Sequence, residues 1–289
     1  MPSTTLTPDG VIQQNFTVPA GVTELTVDLV GAAGGITSTG QTRGKGARLQ
    51  FKLAVTAGEV YNFNVGGQGG DQIGSTTGVG QAVGTRLGGN TWRTNAAGAA
   101  GGGGGGATGV GIGVGVSNVW IAVAAGGGGA GAGGTAGGDA GAGSTSGTAG
   151  TTGYAAATTN GGGGATSSSN GSGGTFTNSA WTGWNGGYST TYLANVTSGG
   201  LGGGTAITGG GIYETYAGGG GGGGGWRGGG GGAGSPSTGT AGGGGGGMSS
   251  VLGTVTSLTE TAAYNTGDGY VVLTWPGGGG IYVDGAVHF

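Results

Sequence analysis

The sequence predicts an all-β protein with almost no α-helix: a small β-sandwich carrying a large inserted bundle of glycine threads. Three observations predict it. Apolar and polar residues alternate strictly in several short runs bounded by Gly and Pro. No long run shows a 3.6-residue period. Of 289 residues 91 are Gly, and the stretch 218–247, GGGGGGGGWRGGGGGAGSPSTGTAGGGGGG, has only Trp226 and Arg227 as large side chains.

The strands come in order. Residues 11–18 form the first, ended by Pro19-Ala20-Gly21. Leu25, Val27 and Leu29 then alternate with Glu24, Thr26 and Asp28, a half-buried strand. Leu49, Phe51, Leu53 and Val55 alternate with Arg48, Gln50 and Lys52 in the same way. After the turn Ala57-Gly58-Glu59, the next inward face is Tyr61, Phe63 and Val65. Val119, Ile121 and Val123 make a fifth strand, and residues 269–275, closed by Pro276, make the last. Five of these precede residue 125, so the simplest sandwich, of jelly-roll or TNF-like type, is closed by the last. The expected organisation is 1–125 for the sandwich with a short Gly-rich insertion at 66–116, then 126–250 for the glycine bundle with its presented loops. A closing strand at 251–276 and a C-terminal docking tail at 277–289 follow.

A glycine run of this length is neither helix nor ordinary strand, because Gly loses the most conformational freedom on ordering and brings no side chain to pack. With five Pro and no strict triplet, a collagen triple helix is excluded. The remaining ordered solution is a set of polyproline-II-like threads, that is polyglycine-II helices, so close that only Gly fits between them. Ordering costs ~1–2 kcal/mol per residue, and each inter-thread hydrogen bond returns ~0.5–1.5 kcal/mol. These nearly cancel, so the sandwich is expected to act as the nucleating base. An unstructured insertion as long as 126–250 is improbable in a compact domain.

Seven basic and ten acidic residues give a net charge of -3, which does not suit a phosphate backbone, so no nucleic-acid partner is expected. There is no Cys and one His, His288, so no disulfide, metal or cofactor is expected. The first ten residues lack a basic region followed by an apolar run, and no stretch of about 18 apolar residues occurs. The expectation is a chain without signal peptide or membrane insertion, made in a cytoplasm.

Catalytic patterns fail on inspection, and no enzyme is expected. Gly-x-Gly-x-x-Gly recurs because Gly is abundant. Gly44-Lys45-Gly46 lacks the Ser or Thr that a phosphate loop needs after its Lys. His288 with Asp284 has no organised nucleophile, and the scattered acids recommend no carboxylate pair. The triplets beginning at Asn15, Asn170 and Asn195 are read as chance. The feature that suggests binding is the aromatic segment TFTNSAWTGWNGGYSTTY, with Phe176, Trp181, Trp184, Tyr188 and Tyr192, followed by Tyr213 and Tyr216. These rings pack across the glycine threads, form an exposed surface for a saccharide or protein, as aromatics do at binding hot spots, or make contacts between copies of the protein. Trp226 is expected to cover glycine backbone.

Residues 16–22, Phe-Thr-Val-Pro-Ala-Gly-Val, followed by Leu25-Thr26-Val27, resemble the opening of glycine-rich domains in bacteriophage minor tail proteins. Ile121-Ala122-Val123-Ala124-Ala125 running into poly-Gly, with a closing Gly-Tyr-Val-Val strand, is similar to the glycine-rich domain of the anaplastic lymphoma kinase receptor family. Poly-Gly tracts alternating with variable loops also resemble the distal tail-fibre adhesins of T-even phages. The last two families imply packed polyglycine-II helices, and the adhesins imply receptor recognition by the loops. The absence of Cys and of an export signal favours the phage resemblance.

The expected function is therefore a structural or adhesin protein of a phage tail tip or tail fibre, assembled in the host cytoplasm and carried in the virion. Its partners would be other phage tail proteins and a host cell-surface saccharide or protein. A homo-oligomer is expected, with a trimer among its forms. Alternatives are a purely structural minor tail protein, an ice-binding protein using Thr faces, and a receptor-type signalling domain.

Overall fold

Leu25, Val27 and Leu29 have no solvent exposure, as their alternation requires, and they anchor the first of two facing sheets. The structure, a computed structural model, describes residues 1–9, 13–37, 42–71, 101–112, 119–153, 161–175, 218–235 and 240–277. These residues contain ten strands and no helix: β1 (Ser3–Leu6), β2 (Gln14–Thr17), β3 (Glu24–Val30), β4 (Gly46–Ala54), β5 (Val60–Asn64), β6 (Thr108–Ile112), β7 (Val119–Ala124), β8 (Ser250–Val251), β9 (Thr256–Asn265) and β10 (Tyr270–Thr274). One sheet runs β1-β10-β3-β4-β9 and the other β2-β5-β6-β7-β8, with every neighbouring pair antiparallel.

Between the sheets lie Leu25, Val27, Leu29, Leu49, Phe51, Leu53, Val271 and Leu273 from one side, and Tyr61, Phe63, Val110 and Ile121 from the other. Phe16 and Trp275 close one margin with ring centroids 5.5 Å apart. Four strands are additional to those that alternation reveals: β1, β6, β8 and β9. β6, Thr-Gly-Val-Gly-Ile, lies inside the range expected as a Gly-rich insertion, and it fits because Trp120 lies across Gly109 on its outer face. β9 is a polar edge strand, with register shifts opposite β4 and left-handed backbone at Ser257 and Ala263 (φ 52 at each). Such bulges spoil an edge as a template for further pairing.

Strands pass directly into glycine threads. The chain leaves the sheets along 31–37, 66–71 and 125–132 and returns along 42–46, 101–107 and 240–248. Six further threads lie among the described residues. Their hydrogen bonds give their directions: 147–153, 171–175 and 228–235 run outward, while 136–141, 161–165 and 218–225 run back.

The bonds between threads repeat at every third residue. Gly126, Gly129 and Ala132 donate to Gly224, Gly221 and Gly218, and Gly127 and Ala130 donate to Ala32 and Gly35. Two threads are enclosed completely. Gly242, Gly243 and Gly244 donate to Ala233, Thr151 and Gly129, and Gly245, Gly246 and Gly247 donate to Gly230, Thr148 and Gly126. The carbonyls of Gly242, Gly243 and Gly244 accept from Gly220, Gly162 and Gly138, and those of Gly245, Gly246 and Gly247 from Gly223, Ala165 and Gly141. Six different threads thus surround 242–247, and every one of its amide and carbonyl groups is paired. Residues 126–130 are enclosed in the same way, and the two adjacent threads share 136–141 and 218–225 as neighbours. Full satisfaction of buried backbone is what makes this interior tolerable without side chains.

Why these positions are Gly follows from contact. A Cβ on Gly244 would sit on the carbonyl oxygen of Gly221, and one on Gly128 on that of Gly244. Side chains assist at the margins: the Asp139 carboxylate accepts from the Lys45 amide at 2.7 Å. The Asn265 amide group donates to the carbonyls of Gly31 (2.9 Å) and Asp268 (2.7 Å), tying the β9–β10 turn to the first thread.

Candidate functional site

Because outward and inward threads alternate, each described outward thread stops, and the next inward one starts, at the end remote from the sheets. The described connection there is the turn after Ala132, where Gly131 bridges Thr135. The thread pairs ending at Thr37 and Thr42, Asp71 and Gly101, Gly153 and Gly161, Thr175 and Gly218, and Ser235 and Thr240 open on the same end. Turns at the near end are short: 142–146, 166–170, and Trp226-Arg227.

Phe176, Trp181, Trp184, Tyr188, Tyr192, Tyr213 and Tyr216 lie outside the described residues. Their segment joins thread ends at the remote face: Gly218 accepts from Ala132 (3.0 Å), and Gly174 donates to Gly231 (2.8 Å). His288 and Asp284 also lie outside the described residues. Trp226 is described, and it packs against the cluster of Ala107, Trp120 and Val123 at the junction of sheet and threads.

Among the described residues one ion pair stands at the remote end. The Arg43 guanidinium lies 3.3 Å from the Asp71 carboxylate, which also accepts from the Ile36 amide at 2.8 Å, so three threads are joined there. An exposed pair of this kind contributes only ~0–1 kcal/mol. Among the described residues no group of His, Cys, Asp and Glu could hold a metal, and no helix is long and apolar enough to cross a membrane.

The perturbed ionisable groups sit on the sandwich. Arg48 makes a two-pronged pair with Asp28 (2.8 and 2.6 Å) and lies 4.6 Å from the Tyr264 ring centroid, and the Asp28 hydrogen bond raises its pKa. Neither residue stood out in the sequence, although both fall on outward positions of alternating strands. Thr56 and Tyr61 hydrogen bonds hold the Glu59 carboxyl below its usual range. Burial, then the bond to Glu59, pushes the Tyr61 hydroxyl up to about 12. Burial, then the Tyr264 hydroxyl, pushes Tyr270 up to about 12. A phenol whose folded pKa is raised stabilises the fold fully below its unfolded pKa, and this contribution disappears as pH rises through the folded value. The melting temperature is therefore expected to fall between pH 10 and 12, and less steeply in Tyr61→Phe; equal slopes in the two proteins would refute the assignment to Tyr61.

The chain matches no protein-family model and no curated protein.

Proposed function

We propose that this protein is a component of a phage tail tip or tail fibre, a rigid scaffold whose remote end presents loops for host-surface recognition. The observation that carries this reading is the alternation of thread direction, which gathers the outer ends of the described threads on one face. A presenting surface needs stiff supports, and threads paired backbone to backbone around two fully enclosed ones supply them. The reading takes the threads as polyglycine-II helices, supported by their three-residue step, and the sandwich as jelly-roll in type. Other tail proteins, and further copies of the chain, would hold it in the virion. The aromatic residues between Thr175 and Gly218 would contact a host saccharide or protein.

Incubation of the purified protein with envelopes from a panel of bacteria tests this. Saturable binding to a subset is expected, weakened at least about tenfold when Trp181→Ala and Trp184→Ala are combined, as for hot-spot aromatics. Binding unaffected by both substitutions would remove these rings from the site. No binding to any envelope would leave only the purely structural role. Antibodies against the chain that fail to label phage tails would overturn both roles.

A further inference from the structure

The sandwich guards its edges unequally. In the first sheet the edge strand β9 carries bulges and left-handed backbone at Ser257 and Ala263, and in the second β8 is only Ser250–Val251. Both devices discourage pairing with a further strand. The opposite margin has neither. There β1 and β2 come together where the Phe16 ring meets Trp275 and the Trp275 amide donates to the Pro2 carbonyl at 3.2 Å. β1, Ser-Thr-Thr-Leu, and β2, Gln-Asn-Phe-Thr, hold no charged residue and no Pro, and each follows its neighbour without a register shift.

The phase of the ladder fixes which groups of β1 are open. The bond from Trp275 to Pro2 makes theirs a hydrogen-bonded pair, and such pairs alternate with non-bonded ones along an antiparallel ladder. Thr4 and Leu6 therefore turn their amides and carbonyls to Leu273 and Val271, while those of Ser3 and Thr5 point away from β10. Ser3 and Thr5 are exposed, and no described residue pairs with them on that side. Thr4 lies midway between them.

We propose that two copies of this chain join antiparallel through β1, about a two-fold axis at Thr4, so that their five-stranded first sheets become continuous. Ser3 and Thr5 stand equally far from Thr4, so Ser3 of each copy exchanges its outward amide and carbonyl bonds with Thr5 of the other. β1 is thus complementary to itself, and an uncharged strand meets its own kind without repulsion. Once β1 is paired, the free edges of the joined sheet are both β9. The bulges there end the sheet, so the assembly closes at two copies. This pairing does not depend on the tail reading, because oligomeric state is measured apart from envelope binding.

Sedimentation of the full-length protein at micromolar concentration is expected to show dimers. Thr5→Pro removes an outward amide, leaves the bonds to β10 and suits an edge strand. It should raise the dissociation constant at least about tenfold, since a bond is lost from each copy. Thr5→Val keeps the amide and should dimerise like the parent. A monomeric parent, or a Thr5→Pro variant that dimerises as tightly as Thr5→Val, overturns the proposal. Cross-linking reads the register independently, in a chain with no cysteine of its own. Across the two-fold axis the Thr4 Cα atoms stand ~4.5 Å apart, within disulfide range, so Thr4→Cys should give covalent dimers on mild oxidation. Thr5→Cys, offset from its counterpart along the strand, should stay largely unlinked. Equal linking at the two positions, or none at Thr4→Cys, would also overturn it.

Discussion

Gly244→Ala is expected to destabilise the protein by ~3 kcal/mol or more, whereas Gly277→Ala should leave stability unchanged or slightly higher. The difference in sign separates packing from conformational entropy. Neither glycine has left-handed backbone. Restricting the unfolded chain would therefore favour Ala by ~0.4–1 kcal/mol at both sites if space were the same. It is not. Around Gly277 the nearest atom to an added Cβ is the Pro2 Cδ, 3.9 Å away. At Gly244 the methyl meets the Gly221 carbonyl, which itself accepts the Gly129 amide at 2.8 Å. Relief would disturb that bond and the two made by Gly244, to Gly129 (2.9 Å) and from Gly138 (2.8 Å). Overpacking of side chains costs ~1–3 kcal/mol, and here the obstacle is backbone held on all sides. The melting temperature should fall on the order of 10 °C. Equal melting of the two variants would mean that the threads are not closely packed.

Phe51→Ala is expected to cost ~3–5 kcal/mol and to weaken sheets and threads together. Phe51 is 1% exposed in the core between the two sheets. Yet β3, β5 and β7 lead directly into threads, and β10, between β1 and β3, is reached only after the last thread has returned. Thread ordering nearly balances its own hydrogen bonding, so the threads should not persist without the sheets. Far-ultraviolet dichroism and tryptophan fluorescence, the latter including Trp226 at the junction, should follow one transition shifted to lower temperature. Two separated transitions, with the thread signal unmoved, would contradict this dependence.

Much of the sandwich was legible because burial leaves a two-residue period: Leu25, Val27 and Leu29, or Leu49, Phe51 and Leu53, could face only one way. β9 was not legible. As an edge strand it exposes most of its residues, and its bulges break the alternation that would reveal it. β6 hid for another reason, since two of its five residues are Gly, and one of them, Gly109, makes room for Trp120. The glycine tracts announced close approach but not partners. Threads 126–130 and 242–247 meet across more than a hundred residues, and identical glycines carry no information about register. At the remote end the sequence nominated seven aromatic residues; the structure contributes the stems at Thr175 and Gly218 from which their segment leaves. The Arg48–Asp28 pair was invisible because two alternating strands do not declare that they are adjacent.

The most direct test of the thread account is amide hydrogen exchange followed by NMR with nitrogen-15 glycine. The amides of Gly126–Gly129 and Gly242–Gly247 each have a carbonyl partner at 2.8–3.1 Å inside the bundle. They are expected to exchange only through global unfolding, as slowly as the amides of β3. Exchange of these glycines at the rate of a solvated coil, with β3 still protected, would contradict the account.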